Sequence, residues 1–241
     1  MGYRSILLKV SGEALGGEDG AGFDTSALER LTAEVKSVSL DGVAIALVIG
    51  AGNLVRGRDL LQRGLGALGL RQVSADQMGM LGTIANGLAV RDLLNHAGVP
   101  STIFATHGIP SVAATYSVAE ALEAMQGGKV VICAGGTGNP LFTTDSAACL
   151  RGIELGVDAV IKATQVDGVY DGDPHKDPKA KRYDSLTFDE VIEKRLEVID
   201  TTASALCREN DMPLIVYAFK NDGALSRIVN GSNEGTIIRA N

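Results

Sequence analysis

Along this chain, short unbroken apolar runs alternate with longer segments in which an apolar residue recurs every third or fourth place. Residues 4–10 are apolar on both faces from Ile6 onward except at Lys9, the mark of a strand central in a covered sheet. Asp24 or Thr25 then caps a helix whose Leu28, Leu31, Val35 and Val38 form one apolar stripe, and Gly42 ends it. Residues 43–49 read as a second buried strand, followed at once by GAGN. The same patterns predict a helix over 82–95, a strand over 102–105 and a helix over 118–125 stopped by Gly127 and Gly128. They further predict a strand over 129–133, a helix over 145–155 and a strand over 158–162. Buried strands alternating with helices imply a mainly parallel sheet covered on both faces. The glycine-rich polar loops follow strands, where open α/β sheets bind ligands.

Past Thr164 the texture changes. The stretch DGVYDGDPHKDPKAKRYDSL has glycines, prolines and charges but no apolar period, and reads as a long excursion. Thr187 and Glu190 match a capping box, a helix is expected over 201–209, and LIVYAF and GTIIRA are two further strands. No linker separates independent units. A single domain over 1–241 is expected, with an N-terminal lobe over 1–133 and a C-terminal lobe over 134–241 sharing one sheet.

Composition narrows the class. The 241 residues are 45% hydrophobic and 21% charged, ordinary for a globular chain with one substantial core. The 30 glycines follow no collagen period and imply tight loops and close backbone approach. A formal charge of -7 argues against broad nucleic-acid binding yet leaves room for a local basic site. No apolar run approaches the ~18 residues of a membrane span, and no signal peptide is expected before the first strand. Cys133, Cys149 and Cys207, flanked by apolar residues, are expected as buried thiols of a reducing compartment. His96, His107 and His175 share no metal-ligand spacing.

Three glycine loops carry the candidate chemistry. In LLKVSGEAL, a lysine ends a buried strand, where it either snorkels to the surface or joins the amides of Ser11 and Gly12 around phosphate oxygens. In IGAGNLVRG, Gly50 and Gly52 allow close approach, Asn53 offers amide donors or a cap, and Arg56 offers a guanidinium fork. The loop matches neither the P-loop nor the dinucleotide fingerprint, and a tight structural turn would also account for it. In CAGGTGNPLFTTDSAA, Gly135, Gly136 and Gly138 open the backbone, while Thr137, Asn139, Thr143 and Thr144 add neutral donors. Asp145 is placed to cap the next helix or to orient lysines, and Lys162 ends DAVIK much as Lys9 ends ILLK. Paired lysines, glycine loops and no histidine base suit phosphoryl transfer, which needs alignment and charge neutralisation more than covalent help.

The segments ILLKVSGEAL, GNLVRG, DQMGML, GTGNPLFTTDSAACLRGIE and KATQVDGVYDGDP resemble those of the bacterial uridylate (UMP) kinases of the amino acid kinase superfamily. The resemblance covers nearly the whole chain. It implies a three-layer α/β/α sandwich around a mainly parallel eight-stranded sheet. It also implies transfer of phosphate from ATP to UMP with Mg2+, in pyrimidine nucleotide biosynthesis. A cytoplasmic homohexamer, a trimer of dimers, activated by GTP and inhibited by UTP, belongs to the same expectation.

By the same resemblance, Lys9, Lys162, Asp145 and Arg56 are catalytic. ATP would meet Lys9, Ser11, Gly12, Gly52 and Arg56, and its adenosine would meet Thr164, Gln165, Tyr170 and Asp173. UMP would meet Gly50, Ala51, Gly57 and Asp76 on one side and Thr137, Gly138, Asn139, Thr143 and Thr144 on the other. Asp76 is the expected contact to the ribose. Gly17, Glu18, Asp19, Gly20, Ala21 and Gly22 match a segment linked to GTP activation. No protein ligand to magnesium is implied. Where family members often have glycine this chain has Ala51, so the loop must keep dihedrals open to alanine. Ala21 stands where an aromatic is frequent. Two rivals remain: a superfamily kinase for a carboxylate or carbamate, and a nucleotide-sensing regulator without catalysis.

Overall fold

The computed structural model describes residues 2–174, 176–177, 179–196 and 198–240; His175 lies outside the described residues. Strand β1 (Ser5–Val10) leads through Ser11, whose hydroxyl accepts from the Ala14 amide, into the single turn α1 (Gly12–Leu15). A 3-10 turn over Gly17–Asp19 precedes α2 (Thr25–Leu40), which Asp24 caps by accepting from the Ala27 amide at 2.8 Å. Then come β2 (Ala44–Ile49), α3 (Gly57–Leu60) with a kinked π-helical turn over Leu61–Leu65, and the long α4 (Gln72–His96). Next are β3 (Ser101–Ala105), β4 (Ala114–Thr115), α5 (Val118–Gln126), β5 (Val130–Ala134), α6 (Thr144–Glu154) and β6 (Ala159–Thr164). The last part holds β7 (Val169–Tyr170), β8 (Arg182–Tyr183), β9 (Ser185–Thr187), α7 (Phe188–Glu193) and α8 (Thr201–Glu209). It closes with β10 (Leu214–Ala218), α9 (Ala224–Val229) and β11 (Thr236–Arg239).

Among the described residues, nine strands form one sheet in the order β4-β3-β5-β2-β1-β6-β10-β11-β9. Neighbours run parallel except β10 and β11. The sheet therefore exceeds the eight strands expected. The two exposed residues of edge strand β4 carry no apolar signal. Alternate residues of β1 feed opposite cores. Ile6, Leu8 and Val10 pack with Leu31 and Val35 of α2, Ile84 and Val90 of α4, and Leu225 of α9. Leu7 packs with Ala121 of α5, Cys149 of α6, Phe188 of α7 and Cys207 of α8. Three layers follow from that alternation, and all three cysteines are free and buried, as their neighbours implied.

Two expectations need correction. Helix α4 begins at Gln72 rather than near Gly82; Arg71 makes no side-chain cap, and Val73, Met78 and Leu81 face outward, so neither a start signal nor an apolar stripe marks the first turns. The excursion past Thr164 is not structureless. It folds back as the antiparallel pair β7 and β8, with Val169 buried and its amide donating to Thr236. The capping box at Thr187 and Glu190 is present, and α8 has the predicted bounds.

Two buried side-chain oxygens have no hydrogen-bond partner among the described residues, Asp145 Oδ1, which has an ion pair instead, and the Tyr217 hydroxyl. Burial pushes the Tyr217 phenol far above the ordinary tyrosine value, with Glu34 and Glu234 adding to the shift. Replacing Tyr217 by phenylalanine removes the unsatisfied hydroxyl and keeps the ring. The expected result is a gain of roughly 1 kcal/mol in urea unfolding. A loss of similar size would mean that the hydroxyl is satisfied.

Candidate active site

The site begins with strand register. On adjacent parallel strands β1 and β6, Lys9 stands directly beside Lys162. Two ammonium groups so placed repel each other unless an anion joins them. Asp145, in the first turn of α6, supplies it: Oδ2 accepts from Lys162 Nζ at 2.6 Å, and Oδ1 faces Lys9 Nζ at 2.8 Å as an ion pair without hydrogen-bond alignment. Burial alone would raise the Asp145 carboxyl, but Lys9 and Lys162 outweigh that and hold it below the ordinary carboxylate value. Burial lowers Lys162 from the usual lysine value, with Asp145 opposing the shift. A further bond from Lys162 Nζ to the Val198 carbonyl, 2.5 Å, ties the lysine to the segment before α8.

Two cavities open at the carboxyl ends of the central strands, where the chain departs to either side of β1. The first is about 640 Å³, the second about 620 Å³, and both are lined by Lys9 and Ser11. They thus meet at Lys9, beside which Lys162 lines the second. The first cavity gathers Gly50, Ala51, Gly57, Asp76, Thr137, Asn139, Thr143, Thr144 and Asp145. Gly12, Gly52 and Arg56, expected at ATP, also line this first cavity and not the second. Thr164, Gln165, Tyr170 and Asp173 line the second together with Lys162. Gly138 lines neither; its carbonyl accepts from His107 Nε2 at 3.2 Å.

Backbone geometry explains the loops of the first cavity. A Cβ on Gly12 would lie 2.7 Å from the carbonyl carbon of Ala51, so only glycine lets α1 approach this turn. Ala51 is not among the residues with positive φ, so its methyl brings no backbone strain. Gly135, Gly136 and Gly138 adopt φ of 80°, 63° and 89°, which turns the chain back over the cavity. Leu141 also takes positive φ, and its amide donates to Asp76 Oδ2 at 2.9 Å. Gln72 Nε2 holds the other carboxylate oxygen at 2.6 Å. Asp76 is therefore no helix cap, and neither is Asp145. The cap of α6 is Thr143, whose hydroxyl accepts from the amides of Asp145 and Ser146. Arg56 reaches over the cavity and pairs with Glu13 and, at 3.8 Å, with Asp59.

A model of the amino acid kinase family matches residues 4–218. The chain belongs to the amino acid kinase family. A protein named uridylate kinase from Shewanella amazonensis is 48% identical over 237 residues, covering 98% of this chain and 96% of that protein. Another, from Aeromonas salmonicida, is 49% identical over 236 residues, with 98% and 95% covered. Among solved structures, UMP kinase from Bacillus anthracis gives a TM-score of 0.95 at 33% identity, covering 100% of this chain and 98% of that one. UMP kinase from Ureaplasma parvum gives 0.90 at 32%, covering 99% and 100%.

Several residues of this amino acid kinase site escape sequence reasoning. Glu13 and Thr83 line the first cavity; Thr83 Oγ1 accepts from the Gly135 amide at 2.8 Å. Asp200 caps α8 and also accepts from the hydroxyls of Thr143 and Ser146, so it braces the start of α6. An aspartate before TTAS is a readable cap, but its second duty depends on α6 lying beside α8. In the second cavity, Tyr170 donates its hydroxyl to Asp167 at 2.6 Å, which fixes the ring. Gly17 to Gly22 line neither cavity, although Gly22 is bonded to Asn53 behind the first.

Proposed function

We propose that the protein is a UMP kinase, transferring the γ-phosphoryl group of ATP to UMP to give ADP and UDP for pyrimidine nucleotide biosynthesis. The observation that carries this reading is the meeting of two cavities at Lys9 and Ser11, beside the Lys9–Asp145–Lys162 cluster. UMP takes the first cavity, in the N-terminal lobe of 1–133 closed by the loop from Gly135, and ATP takes the second, in the C-terminal lobe of 134–241. A UMP phosphate oxygen bonds to the γ-phosphorus as the bond to the β–γ bridging oxygen breaks. The acceptor is already an anion near neutral pH, with a second phosphate pKa of about 6, so no side-chain base is needed. Lys9 and Lys162 neutralise the transferring group, and the N-terminus of α6 adds its positive end. Asp145 orients both lysines.

Among the described residues, no three His, Cys, Asp or Glu side chains are grouped to hold a metal ion. Asp145 is engaged by the lysines and Glu13 by Arg56. That donor set fits Mg2+ carried on the ATP phosphates, which needs few protein ligands. Bound there, the ion supplies further charge neutralisation. Asp76 accepts from the ribose, and UTP inhibits by placing its uridine in the same cavity. GTP activates through Gly17 to Gly22. The exposed apolar Met78 and Leu81 of α4 suit burial in a homohexamer. Described residues include no helix long and apolar enough to cross a membrane, and the buried free thiols suit the cytoplasm.

ADP formation with UMP, dUMP, CMP, AMP, glutamate and carbamate tests the substrate. Strong turnover with UMP is expected, and Asp76→Asn should narrow the preference for UMP over dUMP by about tenfold, the worth of one hydrogen bond to a charged group. Turnover with an acyl acceptor alone would overturn the substrate. Nucleotide binding without turnover would favour a regulator.

A further inference from the structure

We infer that Asn53 and Asn86 are positioning residues for the acceptor phosphate, their paired amides fixing the Gly50–Gly52 turn to the helix that carries Asp76; this rests on the UMP kinase reading. Asn53 is 6% exposed and Asn86 0%. Asn86 Nδ2 donates to Asn53 Oδ1 and to the Gly50 carbonyl, both at 2.7 Å. Asn53 Nδ2 donates to Asn86 Oδ1 at 3.2 Å and to the Gly22 carbonyl at 2.6 Å. All four N–H bonds of the two amides are thus used. Filling this interior needs no amides, since apolar side chains of similar size would pack there. What the amides add is register.

The register concerns α4 as a whole. Asp76 holds the Leu141 amide, Thr83 the Gly135 amide and Asn86 the Gly50 carbonyl. These three positions lie on one side of the helix, so one rigid element sets both loops of the acceptor cavity. Between them, Gly82 receives Ala51: a Cβ on Gly82 would stand 2.8 Å from the Ala51 methyl. Among the described residues, Asn86 makes the side-chain hydrogen bonds that join this turn to the helix, whereas the Gly82 contact is apolar. Apart from Lys9 and Ser11, which the two cavities share, the lining of the ATP cavity sits on β6 and beyond, outside this arrangement.

The test compares Asn86→Leu and the double variant Asn53→Leu with Asn86→Leu against the unaltered chain. UMP affinity is read by calorimetry without ATP, alongside KM for each nucleotide, kcat and thermal unfolding. The double variant removes both partners of the amide–amide bonds at little cost, whereas the Gly50 and Gly22 carbonyls lose their donors, so both variants should unfold at a somewhat lower temperature. Both variants are expected to fold and to bind UMP about 10- to 100-fold more weakly, the cost of a small misplacement, with the KM for ATP unchanged. Unchanged UMP affinity in a folded variant overturns the inference. Equal losses for UMP and ATP, the mark of general loosening, also overturn it, as does failure of both variants to fold. Absence of UMP turnover in the unaltered chain sinks the substrate reading instead, before any variant is made.

Discussion

Replacing Lys9 by alanine lowers kcat for UMP phosphorylation by about 100- to 1000-fold, with the KM for UMP little changed. Lys9 is buried where the two cavities join, and among the described residues no other cation lines both of them. Its charge is most valuable when three oxygens of the transferring group spread between donor and acceptor, so the loss falls on kcat. The truncated chain should fold, because Asp145 keeps its bond to Lys162. Arginine should rescue poorly: its planar fork is bulkier than an ammonium and meets a slot set by the β1–β6 register. Steady-state rates with saturating ATP read the effect. Near-normal turnover removes Lys9 from the chemistry, and an equal rise in KM for UMP with kcat unchanged reassigns it to ground-state binding.

How much of this site was legible depends on the range of the contact. Lys9 and Lys162 stand out because each interrupts or ends an unbroken apolar run, and a buried ammonium demands a partner. Their side-by-side placement was not legible, since β1 and β6 are far apart in sequence and only the sheet order brings them together. Asp145 illustrates the same limit. Local reading leaves it between a helix cap and an anchor for the lysines; Thr143 two residues earlier holds the cap, which frees the aspartate for the lysines. Central strands and α8 were readable because apolar runs and caps are local signals. The first turns of α4 were not, because their apolar residues face outward and their duties lie in other loops. Glu13, Thr83 and Asn86 matter through partners outside their own elements, and nothing in their immediate neighbours announces it.

Substituting Asp145 by asparagine should destabilise the fold by about 3 to 5 kcal/mol at neutral pH, since it leaves two buried cations without their anion. The side chains of Lys9, Lys162 and Asp145 are only 8%, 15% and 14% exposed, so solvent screens the cluster weakly. Urea unfolding measures the loss, and a difference below about 1 kcal/mol would mean that the lysines are solvated in the cleft. The pH dependence follows from the direction of the Asp145 shift. Its folded pKa lies below its unfolded value of about 3.9, so the contribution is complete above that value and lost as pH falls through the folded one. The stability gap between the parent and the asparagine chain should therefore hold steady from neutrality into mild acid. It should close only below the ordinary carboxylate range, where the parent's own carboxyl takes up a proton. Residual activity provides an independent readout. Burial lowers Lys162 and Asp145 opposes it, so removing the carboxylate moves the alkaline limb of kcat to lower pH. An unmoved limb would separate Lys162 from the rate, and a gap that closes near neutrality would place the relevant titration on another group.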